Sequence, residues 1–240
     1  MKKKICFSIV SHHQSDLVNL LLMDIDKNVS VKEYDLEIII TDNFGEKDWE
    51  PSITCYNCDK VTNLRKKGFG SNHNAAFEKS NPDFFFVINP DVRITSPIFF
   101  DVLIMEMEDQ TIYTPKIINK SGGLEDFSRK ELTLLNLVRR RFGLQESGSL
   151  SWFAGIFHGY TASTFESLQG FDPGYFMYVE DTDICYRNQS MGGNLKVFDN
   201  FKVVHNAQRQ TLRRLRHAKW HIASLGRFFL KKLGLISEST

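Results

Sequence analysis

Ile5-Cys-Phe-Ser-Ile-Val10, Leu36-Glu-Ile-Ile-Ile-Thr41 and Phe84-Phe-Phe-Val-Ile88 are near-continuous apolar runs of strand length, and each stops on a polar turn. Runs that are apolar throughout, rather than alternating, belong to strands covered on both faces of a sheet. Between the first two, Leu17–Met23 follows a turn signal at Asp16 and has helical spacing, so the chain opens β-α-β. The second run ends on Asp42-Asn43 and a polar loop through Phe44-Gly45-Glu46; the third ends on Asn89-Pro90-Asp91. Pro90 has no N–H with which to continue a ladder, so Asp91 is presented at the sheet edge. The reading is an α/β sheet whose ligand lies beyond the carboxyl ends of its strands, where Asp42 and Asp91 both fall.

Further along, Val61–Leu64 reads as a short strand, Lys67–Asn72 as a flexible glycine loop and Asn74–Lys79 as a helix. The stretch 121–150, with Ser-Gly-Gly, Arg139-Arg-Arg141 and Gly148, reads as a basic, partly helical excursion, either a lid or acceptor contact or a solvated surface loop. Trp152–Phe157 resumes the core, Ser163–Leu168 is a short helix, and Gly170-Phe-Asp172 turns the chain toward Tyr175–Tyr178. Glu180-Asp-Thr-Asp183 opens a helix carrying Cys185 and Arg187, and Lys196–Phe198 and Lys202–Val204 are short strands, the second ending at His205.

The 240 residues suit one domain, 1–206, plus an appendage, 207–240. Residues 1–206 carry 22 Lys/Arg against 28 Asp/Glu, whereas 207–240 carry 8 against 1. That tail reads as one basic amphipathic helix from about Gln208 to Leu233, with Leu212, Leu215, Ile222, Leu225 and Phe229 near one face. Two placements fit it: lying in a membrane interface, or docked on its own domain or in a dimer. No apolar run reaches the roughly 20 residues of a bilayer span, so membrane contact is expected to be peripheral. The apolar run behind Met1-Lys-Lys-Lys4 is too short for a signal peptide, which with four cysteines points to reduced thiols in a cytosol. Cys55-x-x-Cys58 has no second pair at zinc-finger spacing and reads as packed or surface thiols. An acidic body without a recognition module argues against nucleic acid.

Several residues have the chemistry of a site. A hard divalent cation shared with a diphosphate needs only one or two protein carboxylates, and Asp91 can supply one; a turn residue is the plainer reading. His205, also strand-terminal, suits manganese better than magnesium if the fold brings it to Asp91. Glu180, Asp181 and Asp183 crowd one helix start, either as charges favourable to the helix dipole or as a general base whose pKa repulsion raises. Gly170-Phe-Asp172 and Tyr175–Tyr178 would wall such a base from water. Gly68-x-Gly70 lacks the third glycine of a dinucleotide fingerprint, since His73 stands there, but it offers backbone and the polar Asn72 and Asn74 to a nucleotide diphosphate.

In order, these pieces resemble the family 2 glycosyltransferases of GT-A fold, particularly their rhamnosyltransferase-like branch. The matching motifs are Ser8-Ile-Val-Ser11, Thr41-Asp-Asn43, Asn63 with Gly68–Asn74, Asn89-Pro-Asp91, Gly170-Phe-Asp172, Phe176–Arg187 and Val204-His205. The resemblance implies a GT-A, Rossmann-like central mixed sheet flanked by helices. It implies that Ser11, His12, Asp42, Asn43, Asn63, Gly68, Phe69, Gly70, Asn74, Asn89 and Asp91 hold the donor, and that Asp91 and His205 hold Mn2+ or Mg2+. Asp181, paired with Glu180, would deprotonate an acceptor hydroxyl, with Trp152, Gly155, Asp172 and Tyr178 at the acceptor; Asp183 and Arg187 would brace the helix. The implied reaction is a single in-line displacement that inverts the anomeric carbon. The expected donor is a dTDP- or UDP-sugar, dTDP-L-rhamnose first, with UDP-galactofuranose, UDP-glucose or UDP-N-acetylglucosamine as alternatives. The expected acceptor is a lipid-linked oligosaccharide at the inner face of a bacterial membrane. A catalytically silent sugar-nucleotide-binding assembly subunit is the reading from a different class, and association of copies stays open.

Overall fold

Each of the three apolar runs is a strand, and the third, Phe84–Ile88, is buried at every position. The computed structural model describes residues 2–46, 49–52, 55–145, 147–206 and 215–237. The first half comprises β1 (Lys4–Ser11), α1 (Ser15–Asn28), β2 (Val29–Ser30), β3 (Asp35–Asp42), β4 (Asn57–Thr62), α2 (Phe69–Ser80), β5 (Phe84–Ile88), β6 (Val92–Arg93), β7 (Ile98–Phe99) and α3 (Phe100–Met105). The second comprises β8 (Thr111–Ile118), β9 (Ser128–Lys130), α4 (Leu134–Arg141), β10 (Leu150–Phe153), β11 (Phe157–Thr161), α5 (Ala162–Ser167), α6 (Glu180–Ser190), β12 (Asn194–His205) and α7 (Leu215–Lys232).

Eight strands form one mixed sheet in the order β4-β3-β1-β5-β11-β8-β12-β6. The strands β4, β3, β1 and β5 run parallel, with α1 between β1 and β3 and α2 between β4 and β5, and β11 adds antiparallel to β5. Register fixes the functional edge: Ser11 lies opposite Asp42, Asp42 opposite Thr62, and Ile9 opposite Ile88. The ends of β1, β3, β4 and β5 therefore open onto one edge, as in α/β ligand sites. Helix α1 buries Val18, Leu21, Leu22 and Ile25, an i, i+3, i+4, i+7 stripe.

Three expectations change. The supposed flexible loop 67–72 is mostly the first turns of α2, which starts at Phe69. Its glycines serve close approach: a Cβ on Gly70 would lie 2.4 Å from Cβ of Phe171, and one on Gly68 would lie 2.7 Å from the Tyr175 carbonyl oxygen. The two short strands expected around 196–204 are one strand, β12, whose pairing with β8 shifts register between Val197 and Lys202. The strand expected at 61–64 lies earlier, at 57–62, where alternation with polar residues hides it.

Of the tail, 207–214 lies outside the described residues, and α7 docks on its own domain. Phe228 is buried in a small cluster with Leu132, Tyr175 and Val179. Beneath the helix, the buried Asp172 carboxylate meets Arg227 Nη2 at 2.8 Å and Lys231 Nζ at 2.8 Å, and Lys231 also reaches Asp183 at 2.7 Å. Burial works against the Asp172 charge, but hydrogen bonds from Lys231, Arg227 and the Gly174 N–H outweigh it and hold the carboxyl below its ordinary range. Asp172, expected at the acceptor, is thus sealed under α7. Removing one side of a buried pair strands the other: Asp172→Ala is expected to destabilise the fold by about 3 kcal/mol in urea denaturation and to change the fluorescence of Trp220 on α7.

Candidate active site

At the end of β5, the Asn89 N–H donates to the Ile156 carbonyl at 2.9 Å, and the Asp91 carbonyl accepts from the Asn206 N–H at 2.9 Å. The turn is thereby tied to both β11 and β12. Asp91 Oδ2 lies 3.3 Å from His205 Nε2, and His205 Nδ1 lies 2.7 Å from Glu125 Oε2. Burial lowers the His205 pKa, but hydrogen bonds and charge from Asp91 and Glu125 overcome it, and the net direction is upward. The other Asp91 oxygen, Oδ1, is buried with no hydrogen-bond partner. An orphaned carboxylate oxygen beside an imidazole nitrogen, with a second carboxylate orienting the ring from behind, is a donor set that fits a hard divalent cation. Among the described residues, no group of three or more His, Cys, Asp and Glu converges to hold a metal alone. Asp91 and His205 could contribute two ligands, leaving the remainder to a ligand's oxygens and water. Glu125 escaped sequence reading because nothing local distinguishes it in a polar, glycine-rich excursion.

The second carboxylate group sits at the start of α6. Asp181 Oδ2 accepts from the Gly155 N–H at 2.9 Å, and Oδ1 accepts from the Thr182 N–H at 2.7 Å. Gly155, expected as an acceptor contact, holds the Asp181 side chain; a Cβ on Gly155 would lie 3.3 Å from Asp181 Cβ. Glu180 is buried, its Oε2 has no partner, and its pKa is pushed up to about 8 by burial first and the Asp181 charge second. Burial, with the Asp181 charge adding to it, thus favours the protonated form of Glu180, while Asp181 is the partly exposed member. Asp183 braces the helix, accepting from Arg187 Nε at 2.8 Å and from the Tyr175 hydroxyl at 3.1 Å. Just ahead, Tyr178 and Val179 hold φ of 72° and 70°. That left-handed conformation is costly for a β-branched residue.

One cavity of about 490 Å³ joins the two groups. The first half of the chain contributes His12, Asn43, Lys67, Phe69, Asn89 and Asp91; the second contributes Trp152, Gly155, Tyr178, Glu180 and Asp181. Arg129 and Arg140 bring positive charge, and α7 adds His217, Trp220 and His221. The α7 contribution had no sequence signal, because it depends on where the helix docks. Phe176 packs on Trp220 with ring centroids 4.8 Å apart, and the Tyr178 hydroxyl is 2.8 Å from His217 Nδ1.

The remaining expected donor residues stand behind this surface. Ser11 Oγ accepts from the Gln14 N–H. The Asp42 carboxylate accepts from the N–H groups of Phe44, Gly45 and Glu46, which organises the loop after β3. Asn63 donates to Asn43 Oδ1 and Asn72 Oδ1, while Asn43 clamps the Lys67 backbone. Asn74 does not reach the cavity: it pairs with the Phe171 backbone through both Nδ2 and Oδ1, fixing the 170–172 turn on α2. Gly68 and Gly70 likewise act through close packing. His205 lies behind Asp91.

No protein-family model matches the sequence. Rhamnosyltransferase WbbL of Escherichia coli (strain K12) is 26% identical, over 93% of this chain and 92% of that protein. The chain has the GT-A fold and is similar in sequence to a rhamnosyltransferase. The fold part of that statement comes from solved glycosyltransferases. GalNAc-T7, crystallised with UDP, GalNAc and Mn2+, superposes with a TM-score of 0.64 at 16% identity over 85% of this chain, which spans 44% of GalNAc-T7. The mannosyltransferase PcManGT from Pyrobaculum calidifontis, in complex with GDP-Man and Mn2+, gives 0.62 at 13% identity over 100% of this chain, which spans 66% of the archaeal one. Staphylococcus aureus TarS gives 0.56 at 14% identity, this chain spanning 37% of it.

The raised Glu180 pKa has a thermodynamic consequence. A carboxyl whose folded pKa exceeds its unfolded value stabilises the fold fully below the unfolded pKa, and that contribution is lost as pH rises through the folded one. Stability should therefore decline between about pH 4.5 and about pH 8. Glu180→Gln should flatten that slope when melting is followed across this range.

Proposed function

We propose that the protein is an inverting, metal-assisted rhamnosyltransferase that moves L-rhamnose from dTDP-L-rhamnose to a hydroxyl of a lipid-linked oligosaccharide, in the synthesis of a bacterial surface polysaccharide. The observation that carries the reading is a single cavity lined by both Asp91 and Asp181, with the segment Ala154–Ile156 linking them: Ile156 takes the Asn89 N–H and Gly155 gives its N–H to Asp181. A transferase needs a cation site for the departing diphosphate and a base for the incoming hydroxyl within the span of one sugar. The donor sugar rests on the likeness to WbbL. UDP-galactofuranose, UDP-glucose and UDP-N-acetylglucosamine are the donors to compare.

Each residue has a defined task. His12, Asn43 and Lys67 line the nucleotide side, where Lys67, Arg129 and Arg140 offset diphosphate charge. Asp91 and His205 would hold Mn2+ or Mg2+, which when bound supplies Lewis-acid neutralisation of the leaving group. Asp181, oriented by Gly155 and Thr182, takes the acceptor proton, and protonated Glu180 adds no second negative charge beside it. With Asp181 as base, no covalent enzyme intermediate is required, and displacement inverts the anomeric carbon. Tyr178 offers a ring face to an acceptor sugar, while Trp152 is buried with Arg129 and Arg140 over its ring. The setting we propose is the cytoplasmic face of the membrane, with peripheral contact.

Two measurements test this. In a panel of dTDP- and UDP-sugars with Mn2+, Mg2+ or EDTA, Asp91→Ala should weaken metal-dependent donor binding by about tenfold or more. Asp181→Asn should lower kcat by about 10²–10⁴ while leaving donor affinity unchanged; failure of every sugar nucleotide to bind would sink the reading. Separately, Glu125→Gln should weaken Mn2+ binding in the presence of nucleoside diphosphate by about tenfold, followed through the Mn2+ paramagnetic resonance signal. Unchanged affinity would remove Glu125 from the site.

A further inference from the structure

The 121–150 excursion places an unusual surface beside the cavity. Helix α4 spans Leu134–Arg141, and at about 100° per residue Leu134, Leu135 and Val138 fall on one side, extended by Phe142 after the last turn. These side chains face outward: Leu134 is 69% exposed, Val138 53% and Phe142 74%, and Leu135 and Leu144 are exposed as well. Arg139 and Arg141 flank the stripe on either side by the same helical geometry.

The opposite side of α4 is spent on the body. Asn136 is buried and donates to the carbonyls of Glu131 and Ser147, Leu137 packs into the cluster around Phe228, and Arg140 stacks over Trp152. The C-terminal end of α7 lies alongside, joined through Lys232 and Glu131, and adds exposed Leu230, Leu233 and Leu235. The helix is thus fixed in place, and its apolar side is turned outward.

We propose that this face, residues 134–144 with the C-terminal end of α7, is where the protein sits on an anionic lipid bilayer. An apolar stripe bordered by arginines matches the two layers of such a surface, acyl chains beneath and phosphate headgroups at the margin. A soluble partner would need an apolar groove rimmed by acidic residues, whereas an anionic bilayer presents both layers everywhere on its surface. Membrane contact expected along the whole of 208–233 is thereby relocated: the described part of that stretch uses Ser224, Arg227, Phe228 and Lys231 to dock, and the apolar side chains it leaves exposed are Ile222 and the group Leu230, Leu233, Leu235 and Ile236 at its end. Because Leu137 and Arg140 also line the cavity, a lipid-linked acceptor would meet the site at the bilayer surface. That last step alone rests on the function proposed above.

The test is co-sedimentation of the full chain with vesicles of phosphatidylglycerol and phosphatidylethanolamine, against pure phosphatidylcholine, with no donor or acceptor present. The expected result is partitioning onto the anionic vesicles only. The double variant Val138→Ser/Phe142→Ser should lower that partition about tenfold or more, and Arg141→Gln should lower it and weaken its salt dependence. Unchanged melting temperature and donor-nucleotide binding in these variants would keep the result separate from misfolding and from failure of the proposed activity. Absence of binding to anionic vesicles, or binding indifferent to the substitutions, would overturn the proposal. So would a concentration-dependent dimer that the double variant dissolves, since the face would then belong to a second copy of the chain.

Discussion

The backbone pairing at the carboxyl end of β5 is the constraint on which the arrangement depends. There the sheet changes sense, parallel to β1 on one side and antiparallel to β11 on the other. Pro90 ends the ladder, and the freed groups are taken up by Ile156 and Asn206. Two remote segments are thereby pinned to one turn. The first carries Gly155, whose N–H sets Asp181; the second carries His205, whose ring meets Asp91. Asp91 and Asp181 come to share a cavity because one strand end is satisfied from both sides.

Around that point the second half of the molecule is held by charge placed out of water. Asp172 sits under α7 and Asp183 lies in the first turn of α6, and Arg187, Arg227 and Lys231 converge on them. Gly174 permits this, since a Cβ there would lie 2.3 Å from Arg227 Cζ. A buried ionic cluster of this kind contributes less through net energy than through geometry, because only one docking of α7 satisfies every partner. That docking brings Trp220, His217 and His221 to the cavity wall.

What the sequence made legible was whatever local pattern encodes. Continuous apolar runs gave β1, β3 and β5, and proline after Asn89 gave the edge position of Asp91. The carboxylate cluster marked the start of α6. Less legible was anything decided by distant partners. Glycines at 68 and 70 read as freedom when they are close contacts with Phe171 and Tyr175. Asn74 and Asp172 carry motif chemistry but spend it on the Phe171 backbone and on α7. Glu125 and the aromatic groups of α7 owe their positions to tertiary packing alone. A basic amphipathic tail reads the same from sequence whether its apolar side meets lipid or protein.

The left-handed backbone at Tyr178 and Val179 sets two properties of the chain against each other. Glycine or asparagine would occupy those positions with less strain, so selection for thermal tolerance alone would draw the sequence toward them. Each such relaxation would loosen the entry into α6 and the aim of its first carboxylates. Heat tolerance and the setting of the α6 carboxylates are therefore traded against each other at one pair of adjacent residues.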